Sequence, residues 1–256
     1  MTAQANHDQQ VTQQFDPVAS AYLTSAVHAQ GEDLQCLAGV AQQQKPAQAL
    51  DIGCGAGHAA FTIAPFAGHV IASDITPGML ATVAEAAAAR GFSNLTTQQA
   101  ASQSLPFADA QFDLVCSRYS AHHWSDIPAA MREARRVIKA DGQFVMMDIL
   151  GPASPVCDTH LQAIELLRDP SHVRDLSEAE WRAAVTAAGF EVIGLRVRRV
   201  RLEFASWIAR MRTPEVYVNA IRTLLQGASP EVKAYLQLED DLSFSPESMV
   251  LLARPV

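Results

Sequence analysis

Short β-type runs alternate with helical segments between residues 49 and 149, and this alternation is the strongest constraint on the fold. The β-type runs are Ala49–Ile52, His69–Ser73, Leu95–Gln98, Phe112–Ser117 and Gln143–Ile149. Helical spacing lies between most of them, over Gly57–Phe66, Pro77–Arg90 and Asp126–Lys139, and residues 99–111 form a turn-rich crossover. Because such alternation builds parallel βαβ units with right-handed crossovers, we expect an α/β domain.

The segments on either side of this alternation differ from it in composition and in hydrophobic spacing. Residues 1–14 are polar and rich in glutamine, which predicts a frayed end, and helix-compatible spacing then runs from Phe15 to Pro46. A β-type run over Glu191–Phe204 changes phase, which predicts a bend or bulge near Arg198–Arg199. The other expected elements are helices at about 156–168, 177–188, 205–212, 214–226 and 230–238, and a last strand at Met249–Ala253.

Composition narrows the range of partners. The 256 residues include 27 acidic and 19 basic side chains, and a formal charge of −8 disfavours nucleic acid and anionic membranes. The arginines of residues 196–212 fall on more than one face and form no continuous basic stripe. The four cysteines include no CxxC pair, and we see neither a signal pattern nor a run of about 18 apolar residues. We therefore expect a cytoplasmic protein without a membrane span, and the pattern favours no particular oligomeric state.

A glycine-rich stretch follows the first β-type run: ALDIGCGAGHAAFTIAPF. Asp51 ends that run, and glycines follow at alternate positions, Gly53, Gly55 and Gly57. A helical pattern comes next, so the loop exposes backbone N–H groups at a helix N-terminus. The second β-type run ends at Asp74, about 20 residues beyond the loop, where folds of this kind place a carboxylate on a ribose diol. We therefore expect a bound ribose.

The same loop separates classes of cofactor. A dinucleotide loop reads G-x-G-x-x-G/A, and here His58 stands at the third small position, where it is too large for the usual close packing. A P-loop is excluded because no Gly-Lys-Ser/Thr follows. A pyrophosphate is therefore disfavoured, although an NAD-type nucleotide-dependent oxidoreductase stays open as an alternative.

Four stretches, in this order, resemble motifs of the class I S-adenosylmethionine-dependent methyltransferases: LDIGCGAGHAA, IASDITPGML, QSLPFADAQFDLVCSRYSAHHW and EARRVIKADGQFVMMD. The likeness covers roughly residues 15–150. Within this family, the chain resembles the small-molecule branch with a methyltransferase type 11 domain. That branch includes the ubiquinone/menaquinone-biosynthesis C-methyltransferases. The resemblance implies a Rossmann-like, seven-stranded, mostly parallel sheet whose last strand is antiparallel. It also implies transfer of a methyl group from S-adenosyl-L-methionine to a small-molecule acceptor by in-line displacement, which leaves S-adenosyl-L-homocysteine.

The resemblance divides the chain into three parts. An N-terminal helical lid would occupy residues 1–45, and a core that binds S-adenosylmethionine would occupy residues 46–150. Residues 151–256 would complete the sheet and carry a helical insertion on the substrate side at about 205–240.

The resemblance also implies which residues hold the cofactor. Asp51 and the three glycines would surround its methionine part, and Asp74 would take the ribose hydroxyls. The other implied contacts are the lid residue Tyr22, Ile75 and Met79 along the adenine, Ala101, Ser102 and Gln103 at its edge, and Ser117 beside the sulfonium. Relatives often have an aspartate at the place of Ala101, and backbone groups or Gln103 are the expected substitutes. The missing acid is a hint of a further alternative, a non-catalytic protein that binds S-adenosylmethionine.

The stretch SRYSAHHW follows the fourth β-type run, at the end of the sheet where ligands bind. Arg118 would border the sulfonium and could hold an anionic group. His122 or His123 could act as a general base, because imidazole titrates near neutral pH. The alternative is that one of the histidines caps a helix or packs beside Trp124.

Two further substrate candidates, His172 and Arg174, lie in the polar break DPSHVRD between helices. They could close over the substrate, or they could belong to a solvated turn. We expect no metal site, because Cys54 and His58 lack further ligands at close spacing.

Overall fold

Seven strands form one sheet in the computed structural model, which describes residues 3–23 and 30–256. They are β1 (Gln48–Ile52), β2 (His69–Asp74), β3 (Leu95–Gln99), β4 (Phe112–Arg118), β5 (Ile138–Ile149), β6 (Phe190–Arg199) and β7 (Glu247–Pro255). Their order across the sheet is β3-β2-β1-β4-β5-β7-β6, and β1 to β5 pair in parallel. The last strand, β7, runs antiparallel to both β5 and β6. The expected Rossmann-like sheet is therefore confirmed.

Helices cover both faces of this sheet. Alternate residues of β4 point to opposite faces of the sheet, since Leu114 and Cys116 pack in one apolar cluster and Val115 packs in the other.

No helix in the described ranges is long and apolar enough to cross a membrane. The helices are α1 (Ala3–Phe15), α2 (Ala19–Leu23), α3 (Glu32–Gln44), α4 (His58–Ile63), α5 (Pro77–Ala89), α6 (Ile127–Val137), α7 (Pro155–Arg168), α8 (Glu178–Ala187), α9 (Phe204–Arg210), α10 (Glu215–Gln226) and α11 (Pro230–Leu236).

Local chemistry sets several of these boundaries. Helix α8 begins with a capping box, in which the Ser177 hydroxyl accepts from the Glu180 N–H at 3.3 Å. The Glu180 carboxylate in turn accepts from the Ser177 N–H at 2.8 Å. Helix α6 begins at the N-cap Asp126, whose carboxylate accepts from the Ala129 N–H at 2.8 Å.

A third apolar cluster lies outside the two faces of the sheet. It joins α7, α9, α10 and α11 to the chain that leaves β6, and its largest members include Trp207 and Phe244. Because this cluster packs against Ile149 at the carboxyl end of β5, the helices that follow β5 and β6 stand beside the ligand end of the sheet.

The predicted bulge near Arg198–Arg199 is wrong. Both residues pair regularly with β7, and the register of this pairing shifts between Val192 and Gly194 instead. Beyond Arg199, where β6 ends, Val200 and Leu202 hydrogen-bond to Pro246 and Phe244 and pack in the third cluster, so the change of phase marks where the chain leaves the face of the sheet.

The N-terminal segment also differs from the expectation. Residues predicted to fray form α1, and a 3₁₀ turn over Asp16–Val18 connects it to α2. Residues 24–29, which fall within the expected helical stretch before Pro46, and residues 1–2 lie outside the described residues.

Candidate functional site

A first pocket of about 970 Å³, its open mouth included, lies at the carboxyl ends of β1, β2, β3 and β4. Loops that follow these strands form its floor, and α1 and α2 form its cover. The position agrees with the rule that open α/β sheets bind ligands at the carboxyl ends of their strands. The predicted site residues that line this pocket are Tyr22, Gly53, Gly55, Asp74, Ile75, Met79, Ala101, Ser102, Gln103, Arg118 and His123.

The backbone of the glycine loop has a conformation that residues with a side chain rarely adopt. Gly53, Gly55 and Gly57 have φ angles of +65°, +49° and +85°, a region that costs other residues energy. A Cβ at Gly53 would lie 1.9 Å from the Ser120 hydroxyl oxygen, whereas a Cβ at Gly55 would meet no atom within 4 Å. Since Gly55 lines the first pocket, its missing side chain leaves open space where a ligand can approach the backbone.

Asp74 ties the end of β2 to this loop. Its Oδ2 accepts from the Gly55 N–H at 2.9 Å, and its Oδ1 accepts from the Thr76 N–H at 2.8 Å. Burial raises the pKa of Asp74, while these N–H groups act in the opposite direction. The carboxylate is therefore fixed at the wall of the first pocket.

Asp51 supports the loop and lines neither pocket. It is fully buried in β1, and its Oδ2 accepts from the Ala60 N–H at 3.0 Å, in the first turn of α4. Burial raises the pKa of Asp51 to about 7. Gly57 and Ser117, the other predicted residues of this region, likewise lie outside the lining of both pockets.

Helix α1 contributes residues that the sequence did not indicate. Asp8, Val11 and Phe15 all line the first pocket. The Gln103 side-chain amide donates to the Asp8 carboxylate at 3.2 Å, which joins α1 to the loop after β3. The available signal was the i, i+4 spacing of Val11 and Phe15, which places both on one helix face.

The cover continues through Tyr22 of α2. His58 Nε2 donates to the Tyr22 carbonyl oxygen at 3.1 Å, so the residue that disfavoured a dinucleotide joins the glycine loop to the cover. The Tyr22 hydroxyl donates to the Met211 sulfur at 2.8 Å. Tyr22 thus connects the N-terminal helices to the region after α9.

A second pocket of about 590 Å³ adjoins the first. Among the described residues, four line both pockets: Phe15, Tyr22, Tyr119 and His123. The rest of the second pocket's wall comes from the end of β5, from α7 and α9, from the chain between β6 and α9, from His122, and from Asp169 and Asp175 after α7. It combines apolar side chains, such as Trp207, with buried charged groups.

The two adjacent histidines have opposite electrostatic environments. His122 Nδ1 lies 2.6 Å from Asp148 Oδ1, and although burial opposes the charge, this carboxylate raises the pKa of His122 to about 9. His123 Nδ1 donates to the Ser171 carbonyl oxygen at 3.1 Å. Burial and the neighbouring His122 cation lower the pKa of His123 to about 4. His122 is therefore a cation in an ion pair, and His123 is neutral with Nε2 unprotonated.

The two substrate candidates from the polar break, His172 and Arg174, line neither pocket. His172 Nε2 donates to the Gln162 side-chain oxygen at 2.8 Å, and Arg174 pairs with Asp158 at 3.0 Å. The Arg174 N–H also donates to the His122 carbonyl oxygen at 3.2 Å. The break thus supports the histidine loop through its backbone.

Arg118 is held by an acid that the sequence did not indicate. Its Nε lies 2.6 Å from Oδ2 of Asp33, which is buried in α3, and Arg198 reaches the other oxygen of Asp33 at 2.8 Å. The Arg118 guanidinium also lies over the Tyr119 ring, 4.5 Å from its centre. Its charge therefore helps to order the junction of the two pockets.

Ligand-type atoms cluster at His122, Asp148 and Asp175, all within 4.8 Å of one another. His122 Nδ1 already pairs with Asp148 Oδ1 at 2.6 Å. The expectation that the protein has no metal stays a prediction.

Comparison with known proteins agrees with this geometry. A family model described as a methyltransferase domain matches residues 50–146. The uncharacterized protein YafE of Escherichia coli is 45% identical over 199 residues, which cover 78% of this chain and 96% of that protein. The uncharacterized methyltransferase YcgJ of Bacillus subtilis is 37% identical over 219 residues, 86% of this chain and 87% of that protein.

The YcgJ crystal structure superposes with a TM-score of 0.82 at 34% identity, and the match covers 88% of this chain and 98% of that one. The expected likeness to the ubiquinone/menaquinone biosynthesis C-methyltransferases is confirmed but more distant. UbiE of Brucella anthropi is 32% identical over 155 residues, 56% of this chain and 59% of that protein. These relatives decide against the NAD-type alternative that the glycine loop alone left open. The chain belongs to the class I S-adenosylmethionine-dependent methyltransferases.

Proposed function

We propose that this enzyme transfers the methyl group of S-adenosyl-L-methionine to a small-molecule acceptor by in-line displacement, with S-adenosyl-L-homocysteine as product. The observation that carries the proposal is that the two pockets adjoin and share lining residues, Phe15, Tyr22, Tyr119 and His123. A methyl group moves directly between two molecules only if their reacting atoms are held in contact. Two adjoining pockets that share lining residues can hold the two molecules side by side and so meet this requirement.

The first pocket suits S-adenosylmethionine. Gly55 leaves room for close approach to the backbone, Asp74 presents a fixed carboxylate to a ribose diol, and Ile75 and Met79 offer apolar surface to an adenine. When bound there, the cofactor supplies an electrophilic methyl group on a sulfonium sulfur.

Asp8 fills the gap left at Ala101 in this proposal. The first pocket is lined by Ala101, Ser102 and Gln103 at the loop after β3, and none of these carries a carboxylate. Asp8 reaches this edge from α1 and is held there by Gln103. Its carboxylate can accept a hydrogen bond from an adenine amino group.

His123 is the proposed proton acceptor. Its Nδ1–H is used by the Ser171 carbonyl, so Nε2 keeps a lone pair, and the ring lines both pockets. The acceptor atom loses a proton as it gains the methyl group, and a neutral imidazole beside it can take that proton. Positioning of the two reactants supplies the larger effect, roughly 7–11 kcal/mol for a well-oriented pair.

Isothermal titration with S-adenosyl-L-homocysteine tests the proposal. We expect wild type to bind and Asp74→Asn to bind at least about tenfold more weakly, because a hydrogen bond to a charged group contributes about 1.5–3 kcal/mol. Asp8→Asn should also weaken binding, whereas the exposed control Asp240→Asn should not. Absence of binding to wild type, or unchanged binding by Asp74→Asn, would contradict the proposal.

Methyl transfer to a panel of quinols, phenols, amines and carboxylates distinguishes an enzyme from a binding protein. A protein that binds S-adenosyl-L-homocysteine but methylates no member of such a panel would support the non-catalytic alternative.

A further inference from the structure

Two arginines line the second pocket, Arg168 at the end of α7 and Arg210 at the end of α9. The Arg168 guanidinium has several partners within the protein. Its Nε donates to the Trp207 carbonyl oxygen at 3.0 Å, its guanidinium lies 4.9 Å from the centre of the Trp207 ring, and Glu165 lies 3.8 Å from Nη1. This arginine therefore needs no ligand to compensate its charge.

The Arg210 guanidinium lacks such partners. Within residues 3–23 and 30–256 no hydrogen bond or ion pair reaches its guanidinium, which only lies over the Tyr22 ring at 5.9 Å. The residues outside those ranges include no aspartate or glutamate that could pair with it. Burial and the nearby Arg168 lower the pKa of Arg210, yet an arginine stays charged at neutral pH. Glu165 attracts this cation only from beyond ion-pair distance. Among the described residues, a half-buried cation thus faces the second pocket with no hydrogen bond or ion pair of its own.

The acids of the second pocket do not fill this role. Glu165 is drawn to Arg168, and Asp169 accepts from the Ser171 N–H at 2.9 Å and from the Ser171 hydroxyl at 2.6 Å. Burial raises the pKa of Asp175 well above its ordinary value and so disfavours a charged carboxylate there, although the His122 cation acts in the opposite direction. None of the three lies within 4 Å of the Arg210 guanidinium nitrogens.

We propose that Arg210 binds an anionic group of the methyl acceptor, a carboxylate or another small anion such as a phosphate. A buried charge is stable only when it is paired, and a planar guanidinium matches both groups by a two-bond fork. The apolar residues of the same wall, Ile149, Val200 and Leu202, suit the uncharged body of such a molecule. The role as acceptor site rests on the proposed function, whereas the anion site itself does not.

The test compares benzoate, its neutral isostere benzamide, and phenyl phosphate at equal millimolar concentration without cofactor, with the melting temperature as readout. Wild type should be stabilised more by at least one anion than by benzamide. That difference should disappear in Arg210→Gln and persist in Arg196→Gln, a control that removes one positive charge from an exposed position of β6. Titration should show a loss of about tenfold or more in anion affinity for Arg210→Gln.

A second measurement separates this role from a purely structural one. Without ligand, Arg210→Gln should melt no lower than wild type, because it removes an uncompensated cation. A structural role through the Tyr22 ring predicts a lower melting temperature instead. Arg210→Lys keeps the charge but loses the fork, and should bind the anion more weakly than wild type.

Equal shifts from all three probes, no shift from any, or anion preference retained in Arg210→Gln would overturn the inference. The titration with S-adenosyl-L-homocysteine is independent of these results. Cofactor binding without anion preference would refute the Arg210 site alone. Anion preference in a wild type that does not bind S-adenosyl-L-homocysteine would refute the proposed function and leave the anion site intact.

Discussion

Alanine at Gly55 should affect stability and cofactor binding by different and separable mechanisms. Gly55 and Gly91 have φ angles of +49° and +74°, and a Cβ at either position would meet no atom within 4 Å. The left-handed backbone costs an alanine about 1–2 kcal/mol in each case. For a chain of this size that cost lowers the melting temperature by roughly 2–8 °C. We expect Gly55→Ala and Gly91→Ala to melt at similar temperatures.

Of these two glycines only Gly55 lines the first pocket, so only Gly55→Ala places a methyl group in the proposed cofactor site. Overpacking of this kind costs about 1–3 kcal/mol, which corresponds to a roughly 5-fold to 150-fold loss of affinity. Titration with S-adenosyl-L-homocysteine should show this loss for Gly55→Ala and wild-type affinity for Gly91→Ala. Equal affinity in the two variants would refute the assignment of the first pocket. A much lower melting temperature for Gly55→Ala would refute the strain argument.

The two histidines of the junction give further predictions. The pKa of His122 is about 9 against an ordinary value of 6.5, so its ion pair with Asp148 stabilises the fold fully below pH 6.5 by about 3 kcal/mol, and the effect is lost as pH rises through 9. The melting temperature of wild type should fall more steeply from pH 7 to 9.5 than that of His122→Gln, and parallel curves would contradict this. For any acceptor found, His123→Asn should lower kcat by at least about 100-fold with S-adenosyl-L-homocysteine affinity nearly unchanged, and an unchanged kcat would exclude the base role.

The central sheet could be predicted because buried parallel strands appear as short apolar runs between helical segments. The start of β5 could not. Residues up to Lys139 continue a helical pattern, yet Ile138 pairs with Phe112 and the Lys139 ammonium reaches Asp113 at 2.6 Å. Both partners lie more than 20 residues away in the chain, so tertiary pairing overrides the local preference.

Helix α1 was not predicted from the sequence, for a related reason. Its composition is polar, and its side chains find their partners far along the chain. His7 Nε2 donates to the His123 carbonyl oxygen at 2.8 Å, and the Gln10 amide donates to the Pro170 carbonyl oxygen at 2.7 Å. No local pattern reveals such contacts, so a segment that looks frayed by composition becomes the cover of the first pocket.

The same distinction separates the residues proposed to bind the cofactor from those proposed to bind the acceptor. Gly55 and Asp74 were predictable because a left-handed turn and a carboxylate at a strand end are local requirements with few solutions. Arg168 and Arg210 lie on different helices, and the third apolar cluster, which includes Trp207, holds those helices together. This cluster includes no residue of the glycine loop, so its helices can change without a change to that loop. If the second pocket holds the acceptor as proposed, the choice of acceptor depends on the helices that follow β5 and β6, outside the motifs that identify the family.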